Sequence, residues 1–384
     1  MNRKIALFLA AAMVAALISG CGAKSADTYK IGVNLELSGG VATYGQSTLV
    51  GIEMAVAEIN AAGGINGKPV ELVKYDNKSD PAEATTIATK LMAQDGVLAI
   101  LGPATSGSFK ATIPVADKNK VPVISASATV DDVTVDENGV KEYAFRICYN
   151  DSFQGNALAK YARENLGANN AVVLKDIAND YCKGVASSFA SAFTAAGGAI
   201  AAEESFSSGD TDFNAILTKI KSANFDAILL SAYYQEAGLI IKQARALGIT
   251  CPILGPDGYD SPSLAELAGA DALNNVYYTN HYSSLDKDPS VLKFIADFSA
   301  ANGKEPDSFN ALGYDVAMFA IDAISRAAKN GEPTPEAVKE ALASTAGFTG
   351  VTGSITVDEN HNAVKGIVII RLENGVPVSS EKAG

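Results

Sequence analysis

Tryptophan is absent from the chain, and histidine occurs only twice, at His281 and His361. The four cysteines stand singly and far apart. A multi-histidine or paired-cysteine metal centre is therefore not expected, and no metal or cofactor is assigned. Basic residues are the minority, 30 Lys+Arg against 43 Asp+Glu, for a formal charge of −13. A field of that sign repels phosphate backbones, which argues against a nucleic-acid partner. A Gly-x-Ser-x-Gly nucleophile elbow is missing, as are a Gly-rich nucleotide loop and a P-loop lysine motif. With so few histidines, the chain is not expected to be an enzyme. Only one uninterrupted apolar run is long enough to matter, and it lies at the N-terminus. The chain is 48% hydrophobic and only 19% charged over 384 residues. That is material for packed cores in about two domains.

The N-terminal run is read as an address. Arg3 and Lys4 precede an uncharged stretch from Ile5 to Ile18. It is shorter than the roughly 20 residues a spanning helix needs and suits the core of a signal peptide. It ends Leu17-Ile18-Ser19-Gly20-Cys21, which resembles a bacterial lipobox. Residues 1–20 are thus expected to be a lipoprotein signal peptide, Cys21 the lipidated residue, and 21–28 a tether. The expected location is the extracytoplasmic face of the cell membrane, held by that lipid. Cys148, Cys182 and Cys251 then remain for the folded part. Three thiols permit at most one disulfide.

Beyond residue 28 the pattern alternates. Tyr29–Leu35, Val70–Tyr75, Val97–Leu101, Val121–Ser125, Ala171–Lys175, Asp226–Leu230 and Pro252–Gly255 read as short buried strands, with helical periodicity between them. In the helix over 46–60, for example, Leu49, Ile52, Val56 and Ile59 share one face. Asp80-Pro81-Ala82-Glu83 is a helix start. Strand–helix repetition predicts an α/β protein with mainly parallel sheets covered on both faces. The C-terminal third differs. Helices near 289–301, 308–329 and 335–344 lead into a hairpin-like pair, Ser354–Val357 and Val364–Arg371.

Ligands of open parallel sheets bind beyond the carboxyl ends of the strands. Here those ends carry hydroxyls, phenols and one carboxylate. Ser106 stands where a strand loop becomes the helix 107–119, whose unpaired N–H groups and dipole favour an anion. It is equally a simple N-cap. Thr129 suits an anion or an ammonium, or is a turn residue. Asp257 in Gly-Pro-Asp-Gly suits an ammonium, or is a turn aspartate. Donors for an anion facing a carboxylate would fit a zwitterion, with Tyr44, Tyr181 and Tyr233 as walls.

The segments SGGVATYGQ (38–46), GIEMAVAEINAAGGINGKPVELVKYDNKSDP (51–81), GPATSGS (102–108), VPVISASAT (121–129), FRICYNDSFQG (145–155), AYYQEAG (232–238) and GPDG (255–258) occur in order. Together they resemble the leucine/isoleucine/valine-binding family of solute receptors for ABC importers. The resemblance implies a two-lobed type I periplasmic-binding-protein fold. Each lobe is a mainly parallel sheet flanked by helices, and the lobes are joined by three crossings. It implies a first lobe of 29–149 and 282–350, a second of 150–281 and 351–375, and a tail of 376–384. By motif, the ligand carboxylate falls to Ser106 and Thr129, and the ammonium to the main chain of Ser127 and the side chains of Thr129 and Asp257. Ala128 adjoins them, Asp151 sits at the lobe junction, and the three tyrosines line the pocket. The expected ligand is an amino acid, branched-chain or otherwise aliphatic, and the expected partners are an ABC permease and ATPase, with the receptor a monomer. A sensory receptor of the same fold, or a receptor for an amide, urea or aromatic acid, is the alternative. The sequence departs from the family pattern at Asp257, where glutamate is familiar, at Ser127, where alanine is familiar, and at Ser79 and Thr105, which replace a disulfide found in some members.

Overall fold

The structure, a computed structural model, describes residues 28–383. The signal segment 1–20, Cys21 and tether residues 21–27 lie outside the described residues. Two sheets dominate. The first has five parallel strands in the order Val70–Asp76, Tyr29–Leu35, Ala99–Leu101, Val123–Ser125, Ala144–Arg146. The second runs Val376–Ala383, Ile367–Glu373, Val276–Asn280, Ile253–Gly255, Ala227–Ser231, Asn170–Asp176, Ala199–Phe206. Its last five strands are parallel, and the first two join antiparallel.

Period-2 alternation sends successive side chains to opposite faces, so each sheet has two buried sides. In the first sheet Ile31, Val33, Ala99 and Leu101 pack with Ile52, Ala55, Leu312 and Phe319 from helices Ala42–Ala61 and Ser308–Ala327. Ile100 and Val123 pack oppositely, with Ile87, Phe109 and Ile113 from helices Pro81–Lys90 and Ser106–Asn119. The second sheet divides likewise. Val172 and Leu174 meet Leu217, Ile240 and Ile241, whereas Ala171 and Val173 meet Leu158, Val185 and Phe189. Asp80 caps its helix as expected, accepting from the Glu83 N–H at 2.8 Å.

Helices Ala42–Ala61 and Ser308–Ala327 cross very closely, and glycine permits it. A Cβ on Gly51 would come 2.0 Å from the Asn310 carbonyl oxygen, and one on Gly313 2.1 Å from that of Thr48.

The chain passes between the sheets three times: after Arg146, after Asn280 and after Val364. Two expectations need correction. The tail of 376–384 contains a strand, Val376–Ala383, at the edge of the second sheet. The expected hairpin of 354–357 with 364–371 is split. Gly353–Val357 pairs with Ala363–Val364 and Phe348–Gly350 in a small separate sheet, while Ile367–Glu373 joins the large one. Cys148, Cys182 and Cys251 are all free thiols. Among the described residues no helix is long and apolar enough to cross a membrane.

Candidate functional site

The carboxyl ends of the two parallel sheets face one another. Both contribute at points where the strand order reverses, next to Tyr29–Leu35 in the first sheet and Asn170–Asp176 in the second.

From the first sheet, the chain leaving Tyr29–Leu35 places Glu36, which is fully buried. Its carboxylate accepts from the Ala104 N–H (3.0 Å), the Thr105 N–H (3.0 Å) and the Thr105 hydroxyl (2.7 Å). Burial pushes the Glu36 carboxyl up, and these donors oppose the rise. The loop 102–105 is thereby fixed, and helix Ser106–Asn119 starts at a set place with its first-turn N–H groups beyond reach of any helical carbonyl. Ser106 Oγ accepts from the Val130 N–H at 3.3 Å. Ser127 Oγ donates to the Ala104 carbonyl at 2.9 Å, and Ser125 Oγ accepts from the Ala128 N–H at 2.9 Å. Arg146, fully buried, donates from Nη1 to the carbonyls of Ala128 (3.2 Å), Thr129 (2.9 Å) and Val130 (2.7 Å), and from Nε to Asn362 Oδ1 (2.8 Å). One terminal nitrogen of the guanidinium, Nη1, thus staples the 126–130 loop, while Nη2 has no well-formed hydrogen bond.

From the second sheet, Ile253–Gly255 leads straight into the tight turn Asp257–Tyr259. Asp257 is 4% exposed. Its Oδ1 accepts from the Tyr181 hydroxyl at 2.6 Å, and its Oδ2 meets His281 Nε2 at 3.1 Å. Burial pushes His281 down to about 4, against the pull of Asp257. The imidazole is thus neutral at neutral pH and Nε2–H is the donor. No lysine or arginine among the described residues pairs with Asp257.

Aromatic rings close the gap. Tyr44 crosses from the first lobe and donates to the Gly258 carbonyl at 2.5 Å, while the Gly258 N–H donates to the Tyr181 hydroxyl at 3.0 Å. Gly258 leaves room for both: a Cβ there would sit 2.9 Å from the Tyr44 hydroxyl and 3.0 Å from that of Tyr181. Tyr181 stacks on Tyr233 at 5.2 Å, and Tyr44 on Phe309 at 4.5 Å. Burial foremost raises Tyr44, Tyr181 and Tyr233 well above the usual phenol range, so all three remain hydrogen-bond donors.

The cavity between these groups measures about 20 Å³, room for one water. Of the expected site residues, Tyr44, Ser106, Ser127, Tyr181, Tyr233 and Asp257 line it. Ala128, Thr129 and Asp151 are buried behind this wall. The Thr129 carbonyl accepts from the Asp151 N–H at 2.8 Å. Burial pushes Asp151 well above the usual carboxyl range, opposed by the nearby Thr129 hydroxyl and reinforced by Asp257. Neither that hydroxyl nor Asp151 Oδ2 has a well-formed hydrogen bond. Gln154 links the Asp151 carboxylate to the Asp257 main chain: Nε2 donates to Asp151 Oδ1 (3.0 Å) and Oε1 accepts from the Asp257 N–H (3.3 Å). The cavity wall also includes Ala104, Thr105, Gly258 and Phe309, which sequence reasoning did not single out. Phe309 begins a helix far along the chain, and only the fold brings it here.

A handful of further polar contacts hold the lobes together: Thr43 Oγ1 to Ser261 Oγ at 3.1 Å, Lys110 Nζ to Asp180 at 3.2 Å, the Tyr234 hydroxyl to the Gly40 carbonyl at 3.4 Å, and the Ser308 N–H to Asp260 Oδ2 at 2.9 Å. A larger groove of about 760 Å³ lies on the first lobe, between helices Ala42–Ala61, Pro289–Asn302 and Ser308–Ala327. Its acids already have partners, Glu58 with Tyr314, Asp297 with Lys293, and Asp322 with Arg326. Among the described residues no cluster of three metal-ligating side chains occurs.

Comparison with known proteins gives the family and the fold. A family model described as periplasmic binding protein matches residues 28–377. The leucine-, isoleucine-, valine-, threonine-, and alanine-binding protein of Pseudomonas aeruginosa is 32% identical over 335 residues, 87% of each chain. The branched-chain amino acid transporter substrate binding protein LivJ of Streptococcus pneumoniae, solved with isoleucine, is 40% identical with a TM-score of 0.88, covering 93% of this chain and 100% of that one. The leucine binding protein LivK of Thermotoga maritima is 37% identical with a TM-score of 0.85, covering 92% and 99%.

Proposed function

We propose, from the premise that the chain belongs to the periplasmic binding protein family, that it captures an aliphatic α-amino acid between its lobes and hands it to an ABC importer. One observation carries the choice of ligand class. A buried carboxylate without a cationic partner, Asp257, faces the start of helix Ser106–Asn119 across the same cavity. The ligand ammonium supplies the missing positive charge. Its carboxylate is taken by the Ser106 hydroxyl and the helix N-terminus. Thr129, Ala128 and Asp151 act from behind, by fixing the Ser127 loop and its link to Asp257. Tyr44, Tyr181 and Tyr233 surround the side chain.

A cavity of one-water size cannot admit an amino acid while shut. The lobes must part about the three crossings and close again, a hinge motion resisted by only a handful of polar contacts. A screen of the twenty amino acids by thermal shift and calorimetry tests the reading. A cognate aliphatic amino acid at 100 times its Kd should add about 2.7 kcal/mol of stability. Stabilisation by a des-amino carboxylic acid or an amide, and by no α-amino acid, would reject it.

We further infer that the receptor is held at the extracytoplasmic face of the cell membrane by lipid on Cys21. The apolar run Ile5–Ile18 and the Leu17–Cys21 motif support this. Cys21→Ser should appear in the soluble fraction or accumulate as precursor. A variant processed and retained like the parent would contradict the lipid anchor.

A further inference from the structure

We propose that His281 is the positioning residue for the amine-binding carboxylate, holding Asp257 toward the cavity from the crossing that joins the lobes. The inference rests on the amino-acid reading above and adds to it a residue that does not touch the ligand.

Asp257 is gripped from two elements. The Tyr181 hydroxyl holds Oδ1 from helix Asp180–Ala195, and His281 Nε2 holds Oδ2 from the segment just after strand Val276–Asn280. A single hydroxyl would leave the carboxylate free to turn about the bond to its Cβ. The second donor, from a different direction, fixes the plane. His281 is itself immobilised. Its ring stacks on Tyr149 with centroids 3.7 Å apart and planes within 17°, and the His281 N–H donates to Asn280 Oδ1 at 2.8 Å. Tyr149 belongs to the first crossing and His281 to the second, so the stack joins two of the three crossings.

The neutral state of the ring matters as much as its place. A neutral donor orients the carboxylate while leaving its charge for a ligand, whereas an imidazolium would neutralise it. Loss of the donor would do comparable harm. A buried carboxylate oxygen without a partner is neither solvated nor held in place, so Asp257 would no longer be fixed where it can meet a ligand ammonium.

The test uses the full mature protein and L-isoleucine as probe in calorimetry at neutral pH. His281→Phe keeps a ring to stack on Tyr149 and removes the N–H. It should weaken L-isoleucine binding about tenfold to a hundredfold. His281→Gln gives up the stack but retains an N–H donor, and should recover most of that loss. In an Asp257→Asn background His281→Phe should cost less than about twofold more, because the route through the carboxylate is already gone. Parent-like affinity in His281→Phe, or the same loss in His281→Gln as in His281→Phe, would overturn the proposal. So would an undiminished loss on top of Asp257→Asn. If the parent binds neither L-isoleucine nor any other α-amino acid, the failure lies with the proposed function instead.

Discussion

Asp257→Asn should weaken binding of an aliphatic α-amino acid by a hundredfold or more in calorimetry. The reason is charge. A ligand ammonium enclosed beside Asp257 has no other anion to meet there, since Asp151 is pushed up by burial and stands behind the wall. Removing one partner of a buried charge pair typically costs about 3–5 kcal/mol, well over two orders of magnitude in affinity. The fold should hardly notice. Asparagine keeps an oxygen for the Tyr181 hydroxyl, and its amide can donate to His281 Nε2 if the ring proton moves to Nδ1, which has no partner in the parent. Unchanged urea unfolding alongside lost binding is the expected pair of results. Parent-like affinity for an α-amino acid would mean that the ammonium is held elsewhere.

Arg146→Met should be the most destabilising of the substitutions considered, by about 3–5 kcal/mol in urea unfolding. The guanidinium is wholly buried and satisfies three successive carbonyls and Asn362 at once. Charge-assisted hydrogen bonds of this kind contribute roughly 1.5–3 kcal/mol each, shared here among acceptors such as the Thr129 carbonyl and Asn362 Oδ1 that keep second partners, the Asp151 N–H and the Thr134 hydroxyl. Methionine fills the volume and offers no donor. Arg146→Lys should fall between the two, because a lysine ammonium still offers donors to the carbonyls but cannot also supply the separate Nε donor to Asn362. The same loss should loosen the 126–130 loop, so that residual folded protein binds less well. A methionine variant as stable as the parent would show that the carbonyls find other donors.

These two residues also mark the boundary of what sequence alone makes legible. Asp257 could be found because it follows an apolar strand at its carboxyl end, where ligands of parallel sheets bind. Ser106 could be found for the same reason. Arg146 and Glu36 could not, since nothing local distinguishes a charged residue that will be buried from one that will be solvated. Their partners are backbone carbonyls and amides, which every residue has. His281 was visible only as one of two histidines, because its partners Asp257 and Tyr149 come from other elements. The strands show a parallel contrast. Apolar runs such as Ala227–Ser231 are buried on both faces and read plainly. Ala199–Phe206 and Val376–Ala383 lie at the sheet edges, half exposed and rich in polar residues, and carry a much weaker signal. At Lys365-Gly366 the chain changes sheet within two residues, so a continuous β pattern concealed a break.

The close crossing of helices Ala42–Ala61 and Ser308–Ala327 bears on how the chain assembles. The Asn310 amide donates to the Ser47 carbonyl across 263 residues of sequence. All five strands of the first sheet are complete by Arg146, yet one of its faces is covered only by helix Ala42–Ala61 until the helix beginning at Ser308 arrives. For a polypeptide made N-terminus first, the opening third cannot finish folding while it waits for the rest. Contacts this distant are closed late and slowly, because a long loop must be ordered before they form. A nascent receptor therefore remains incompletely folded until most of it has been synthesised, and a fragment ending near residue 149 would leave Ile52, Ala55 and Leu101 without the Leu312 and Phe319 side chains that complete their core.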